Sequence, residues 1–379
     1  MKKVGIMSMQ RVYNYGSFLQ GYGLKSLIEE LGCEVEFVDY HVGECLINDE
    51  SKQKGLKKLL SNSRAASKLV EYIEFKAPIK EKFKFIMYKK NYEKNNFPKL
   101  GIKNEFNYNP KLDVLVIGSD EVFNCVQSNK NVGFSPELFG ANNNAKKVMS
   151  YAGSFGNTTI DKLKKYNVDK EVTNLLSSFD AISVRDSNSG KIVEELTGIN
   201  PNYNLDPVLI YDYMNKCKNK INDVADKDYI ILYGYSGRFS SEECKKIKEY
   251  ARKHNKKIYC FGGVQEVCDK FIDCSPFEVL SYFKNAYGII TDTFHGTIFS
   301  IITKRKFMTL IRKSHGNRYG NEEKLTDLLK RTKLMDRIAN NIDDIDRLLS
   351  KDIDYMETFK ILEEERIKAK EYLKKNILG

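Results

Sequence analysis

The sequence predicts an α/β protein built from two doubly wound halves with a cleft between them, and three observations carry that expectation. A chain of 379 residues exceeds what one hydrophobic core usually supports, so two packed domains are expected. Short apolar runs that close on Gly, Ser, Asp or Arg alternate with segments of helical periodicity, the rhythm of parallel β-α-β units. The lysine-rich connection "YMNKCKNKINDVADKD" interrupts that rhythm near residue 215. The expected organisation is therefore one domain over 1–212, a second over 213–350, and a terminal amphipathic helix over 351–379.

The elements follow in order. "KKVGIMS" predicts a strand, and "GSFLQGYGLKSLIEELG" has apolar residues at helical intervals up to Gly32, a favourable C-cap residue. "CEVEFVDY" is the next strand. After a basic insertion come "LDVLVIGSD", "KKVMSYAGSFG" and "AISVRD" as strands, then "SNSGKIVEELTG" as a helix. In the second half "YIILYGYSG" is a strand, and Ser240 with Glu243 predicts a capping box opening "SEECKKIKEYARKHN". "KKIYCFGG" is the strand after it. Ser275, Pro276 and Glu278 predict a second capping box, with proline at the first helical position of "PFEVLSYFKNA". "YGIITD" is then a strand and "GTIFSIITK" its helix, and the tail from Asp352 has the pattern of a long amphipathic helix.

Composition narrows the class. Hydrophobic residues make up 41% and charged residues 30%, and no apolar run approaches the roughly eighteen residues of a membrane span. The opening "MKKVGIMSMQ" turns polar too soon for a signal peptide, so a cytoplasmic protein is expected. Eight cysteines show neither a CxxC pair nor a histidine spacing suited to zinc; reduced, structural cysteines and no metal are expected. Charge is concentrated. Between Lys52 and Lys103 there are fifteen Lys or Arg against four Glu, a net of +11 that equals the formal excess of the whole chain. This insertion, near 45–105, mixes lysines with apolar residues at helical spacing. It suits an anionic membrane surface, at the inner face, or a phosphorylated lipid-linked acceptor; a solvated lysine-rich insertion is the plainer alternative. Nucleic acid is not expected, since no binding motif accompanies the charge.

In open parallel sheets ligands sit beyond the carboxyl ends of the strands. That rule selects Asn14, Tyr15, Gly16 and Ser17, at a helix start whose N–H groups favour an anion or a polar ligand, although GxGxxG is absent from this turn. It selects Ser119, Asp120, Glu121 and Asn124 in "GSDEVFN", suited to sugar hydroxyls or general-base work, or partly to helix capping. Arg185, ending "SVRD", could bind carboxylate or phosphate bidentately, or pair with Asp186. In "TDTFHGTIFS", Asp292, His295, Gly296 and Thr297 precede a helix whose start offers free donors; a capping or packing histidine is the plainer alternative for His295. "LIRKSHGNRYGNEEKL" adds Arg312, Lys313, His315 and Arg318 as cations for an anionic ligand.

Six segments, "NYGSFLQGYGL", "DVLVIGSDEVFN", "SYAGSFG", "ISVRDSNS", "NLDPVLI" and "TDTFHGTIFSII", stand in the order and spacing of the polysaccharide pyruvyl transferase family. The chain resembles that family over most of its length, apart from roughly 45 to 105 and the final helix. The resemblance implies two Rossmann-like domains in the GT-B arrangement. It also implies transfer of a pyruvyl unit from phosphoenolpyruvate to two hydroxyls of a sugar in a bacterial surface-polysaccharide or lipid-linked precursor, forming a ketal and releasing phosphate. No cofactor is implied beyond phosphoenolpyruvate as co-substrate. By the same resemblance His295 is the acid/base and Arg185 holds the donor anion, while Asn14, Ser119 and Asp120 face the acceptor, Asp120 as base. Together with the strand-end residues, the donor side is expected to comprise Arg185, His295, Gly296, Thr297, Arg312, Lys313 and Arg318. The acceptor side is expected to comprise Asn14, Tyr15, Gly16, Ser17, Ser119, Asp120, Glu121 and Asn124. One departure is Thr293, where members commonly carry an arginine two positions before the histidine. Fold does not fix donor chemistry. The alternatives are a GT-B glycosyltransferase using a nucleotide sugar, with Glu266 or Asp269 at the ribose, and a non-catalytic glycan-assembly protein of the same fold.

Overall fold

The computed structural model describes residues 1–47, 76–313 and 320–379. In the first half, β1 (Lys3–Met7), β2 (Glu34–Phe37), β3 (Lys111–Ile117) and β4 (Asn144–Ser150) pair in parallel in the order β2-β1-β3-β4. Single bridges from Met149 to Ala181 and from Gly153 to Val184 extend it towards β5 (Ser183–Val184) and β6 (Asn202–Tyr203). In the second half, β7 (Tyr229–Tyr233), β8 (Lys257–Phe261), β9 (Lys270–Phe271), β10 (Gly288–Thr291), β11 (Phe307–Leu310) and β12 (Ile338–Ala339) form one parallel sheet. Its order is β12-β11-β10-β7-β8-β9, which places the topological switch point between β7 and β10. In the first sheet the chain steps out to β2 and returns past β1 to β3, so the switch lies between β1 and β3. These are two Rossmann-like units in the GT-B arrangement.

Local sequence explains the elements. Strands covered on both faces carry continuous apolar runs, as in β7, where all five residues are buried. Both expected capping boxes form, at Ser240 with Glu243 and at Ser275 with Glu278. One apolar cluster joins Val4 and Ile6 of β1, Ile230 and Leu232 of β7, and Leu362 and Leu373 of the helix Met356–Leu378. That terminal helix returns to the first half, where the Tyr372 hydroxyl donates to the Ser150 carbonyl at 2.8 Å and Lys2 Nζ donates to the Ile377 carbonyl at 2.7 Å.

The first part of the basic insertion, 48–75, lies outside the described residues. The remainder forms the helix Ile79–Leu100, whose buried face touches both halves. Phe85 and Tyr88 meet Phe271 of β9 at ring separations of 5.3 and 5.6 Å, and Glu81 accepts the Phe271 amide at 2.7 Å. From the same helix the Tyr92 hydroxyl donates to the Asn14 carbonyl at 2.8 Å, and Lys89 Nζ donates to the Tyr13 carbonyl at 2.6 Å.

Candidate active site at the interdomain cleft

A cleft of about 1360 Å³ lies at the carboxyl ends of both sheets. The first half lines it with Asn14, Tyr15, Ser17, Asp120, Glu121, Asn124 and Arg185, the second with Tyr233, Tyr235, Arg238, Asp292, Thr293, His295 and Lys324.

His295 owes its place to the start of the helix Phe294–Ile302. Thr293 is the N-cap, its Oγ1 accepting the Gly296 amide at 3.0 Å, so His295 falls in the first turn with its ring at the cleft. Its Nε2 lies 3.5 Å from Asp206 Oδ2 and has no closer partner. Asp206 caps the short helix Pro207–Ile210: Oδ1 accepts the Val208 amide at 3.0 Å, which leaves Oδ2 for Arg185 Nη1 at 3.0 Å and for His295. The same Arg185 nitrogen stands 3.9 Å from Asp120 Oδ1, and Asp120 Oδ2 accepts the Ser17 hydroxyl at 3.0 Å. A line of alternating polarity thus runs from His295 through Asp206 and Arg185 to Asp120, from one half of the molecule to the other.

Burial makes these pairings necessary, because an unpaired buried charge is strongly destabilising. Asp206 is fully buried and Arg185 is 3% exposed. Burial alone would raise the Asp206 carboxyl, but the His295 contact, the Arg185 charge and the Val208 amide reverse this and hold it below the ordinary carboxylate range. Burial works against the Arg185 charge too, yet Asp206, Asp120 and Asp186 outweigh it and raise its pKa. Phe294 covers the guanidinium at 4.1 Å. Asp120 adopts φ +82°, a left-handed conformation that costs about 1–3 kcal/mol in a residue other than glycine. The Ser154 amide holds its carbonyl at 3.0 Å, and the Glu121 amide holds Oδ1 at 2.9 Å.

Gly16 is required by the histidine. A Cβ there would stand 2.2 Å from His295 Cγ and Nδ1. Gly16→Ala is therefore expected to push the ring aside and lower turnover about 10- to 100-fold, since displacements near 1 Å have that effect. Comparing kcat and melting temperature checks this; unchanged turnover would show that the ring position is unimportant.

Several expected site residues lie elsewhere. Ser119 is fully buried, its hydroxyl donating to Gln20 and its carbonyl accepting from Ser8, so it supports the loop under the cleft. Thr297 is also fully buried, bonded through Oγ1 to the Thr293 carbonyl and to Thr309 on β11. The Gly296 and Thr297 amides go to Thr293, so these two expected free donors are already engaged. Arg312 is held by Glu243 and Asp292 and does not line the cleft. Lys313 is exposed and also lies off the lining, while His315 and Arg318 fall in 314–319, outside the described residues. Gly16 serves as the bed of the His295 ring, and its amide donates to Asn14 Oδ1 at 2.7 Å. Arg185 pairs with Asp206 rather than Asp186, which caps the helix Ser187–Thr197. Asn14, Tyr15, Ser17, Asp120, Glu121, Asn124, Arg185 and His295 do share the cleft. Glu121 takes Asn124 Nδ2 at 2.9 Å and, from the second half, Lys324 Nζ at 2.9 Å.

The structure also brings in Arg238 and Lys89, which the strand-end reading passed over, and sets Arg238 against Asp292. Arg238 follows Gly237 in the loop after β7; its Nε donates to Asp292 Oδ2 and its side chain is one-third exposed. Asp292 Oδ1 is buried and carries no hydrogen bond. Lys89, on the insertion helix, lines the cleft, and burial pushes its ammonium down to about 8. Among the described residues no group of three or more His, Cys, Asp or Glu side chains could hold a metal ion.

Two Rossmann-like sheets sharing a polar cleft at their carboxyl edges, with a carboxylate-backed histidine inside it, define a scaffold of the GT-B class. Residues 14–314 match the family described as polysaccharide pyruvyl transferase, and the chain belongs to that family. No curated protein matches it by sequence. Among solved structures, the UDP-GlcNAc 2-epimerase from Methanocaldococcus jannaschii is 11% identical, with TM-score 0.47, covering 98% of this chain and 99% of that one. The UDP-N-acetylglucosamine 2-epimerase from Rickettsia bellii is 10% identical, with TM-score 0.46, covering 100% and 99%. An O-GlcNAc transferase variant from Thermobaculum terrenum is 12% identical, with TM-score 0.40, covering 99% and 64%.

Proposed function

We propose that the protein transfers a pyruvyl group from phosphoenolpyruvate to two hydroxyls of a sugar in a surface-polysaccharide precursor. The observation that carries this reading is the pairing of His295 with the buried Asp206 carboxylate at the second sheet's strand ends. With Nε2 turned to Asp206, Nδ1 is the nitrogen left for substrate. A carboxylate behind a histidine fixes the orientation of the ring, which suits delivery of a proton to the donor's methylene carbon. Asp120 accepts the proton of an attacking hydroxyl. Two carbon–oxygen bonds form, the bond from carbon to the phosphate oxygen breaks, one hydroxyl proton is balanced by the new methyl group, and the other leaves on phosphate. Arg185 fixes the charge between acid and base. Arg238, at the β7/β10 switch point, supplies a guanidinium for the donor anion on the side where Thr293 offers none.

The nucleotide-sugar alternative loses its two acidic residues. Glu266 takes the Ser241 hydroxyl at 2.6 Å, Asp269 takes the Ile258 amide at 2.8 Å, and neither lines the cleft. The test is phosphate release from phosphoenolpyruvate with free and lipid-linked sugar acceptors, with the ketal identified by mass spectrometry. Turnover of a nucleotide sugar together with inert phosphoenolpyruvate would overturn the proposal. Arg238→Ala is expected to raise the KM for phosphoenolpyruvate about 10- to 100-fold, the worth of a charge-assisted contact. The KM of the acceptor should stay unchanged, and equal rises in both would place Arg238 outside the donor site.

A further inference from the structure

We infer that the outer face of the helix Ile79–Leu100 docks on an anionic lipid bilayer and leads a membrane-held acceptor into the cleft. Ile79 is 86% exposed and Phe83, one turn on, is 63% exposed. Isolated exposed apolar residues are ordinary, but these two begin a stripe. The same helical face continues through Ile86 and Lys90, which line the cleft. One side of one helix therefore joins an apolar rim to the polar site.

The charge around the rim selects the partner. Lys76, Lys80, Lys90 and Lys94 are exposed beside this face. The nearby carboxylates turn inward, Glu81 to the Phe271 amide and Lys84, and Glu93 to the Tyr13 hydroxyl at 2.8 Å. Apolar side chains flanked by lysines match the boundary between anionic headgroups and acyl chains, where a helix lies flat rather than crossing. Among the described residues no helix is long and apolar enough to cross a membrane. The opposite face is fastened to Phe271 and to the Asn14 turn, so the helix presents its outer side as a rigid surface. The inference draws on the proposed function only for the acceptor, and its test requires no turnover.

The full-length protein is sedimented with vesicles of phosphatidylcholine alone and with vesicles that also contain phosphatidylglycerol. Binding is expected to the mixed vesicles only, and to weaken with added salt. The double variant Ile79→Glu, Phe83→Glu should bind the mixed vesicles about tenfold more weakly or worse, with the wild-type melting temperature, because both positions are exposed. Absence of binding to mixed vesicles, equal binding to both kinds, or a double variant that binds like the wild type would each overturn the inference. None of these outcomes bears on whether phosphoenolpyruvate is the donor.

Discussion

Replacing His295 with alanine is expected to lower turnover about 10²- to 10⁴-fold, the usual worth of a positioned acid or base, with little change in melting temperature. Stability should hold because Asp206 keeps Arg185 and the Val208 amide when the imidazole is gone. His295→Gln, which can still hydrogen-bond but cannot carry the proton, should be equally inactive. Phosphate release under single-turnover conditions distinguishes loss of chemistry from loss of donor binding. Wild-type turnover in either variant would remove His295 from the mechanism.

The second large effect is expected at Asp206, and there it falls on stability as well as rate. Asp206→Asn keeps an oxygen for the helix cap but removes the negative charge facing Arg185. A buried guanidinium deprived of its main partner is expected to destabilise the fold by about 3 kcal/mol, read from the urea midpoint. Turnover should fall too, since the histidine loses the group that orients it. The direction of the pH dependence follows from the depressed carboxyl. A carboxylate whose pKa is lower in the folded state contributes its full stabilisation above its unfolded value and loses it as pH falls through the folded one. The difference in stability between wild type and variant should therefore be constant near neutrality and close in acid. A difference that widened in acid would contradict the ion pairing.

Much of the fold was legible because its determinants are local. The capping boxes at Ser240 and Ser275 and the apolar runs of β7 and β10 require only neighbours in sequence. The site was legible in part, for a physical reason. Strand ends mark where polar residues gather, and His295, Asp120, Asn14 and Arg185, which that rule picks out, all line one cleft. The rule does not say which way a side chain turns: Ser119 just past β3 and Thr297 in the first turn of its helix both bond inward. Nor does it say which cations are already spent. Arg312 looked available until the fold set it against Glu243, 69 positions away. Asp206 was inconspicuous because an Asp before Pro is a good helix cap, and its second oxygen finds its role only through Arg185, 21 positions earlier, and His295 from the other half. Arg238 sits five residues beyond the apolar run of β7, in a glycine-bounded loop where nothing in the local pattern marks it.

The helix Ile79–Leu100 is fastened to β9 on one side and to the turn carrying Asn14 on the other. Separating the two halves must therefore strain this helix's contacts together with those of the terminal helix, which also reaches from one half to the other. A bilayer that held Ile79 and Phe83 would load one of these two ties, so attachment to the surface would bear on the width of the gap.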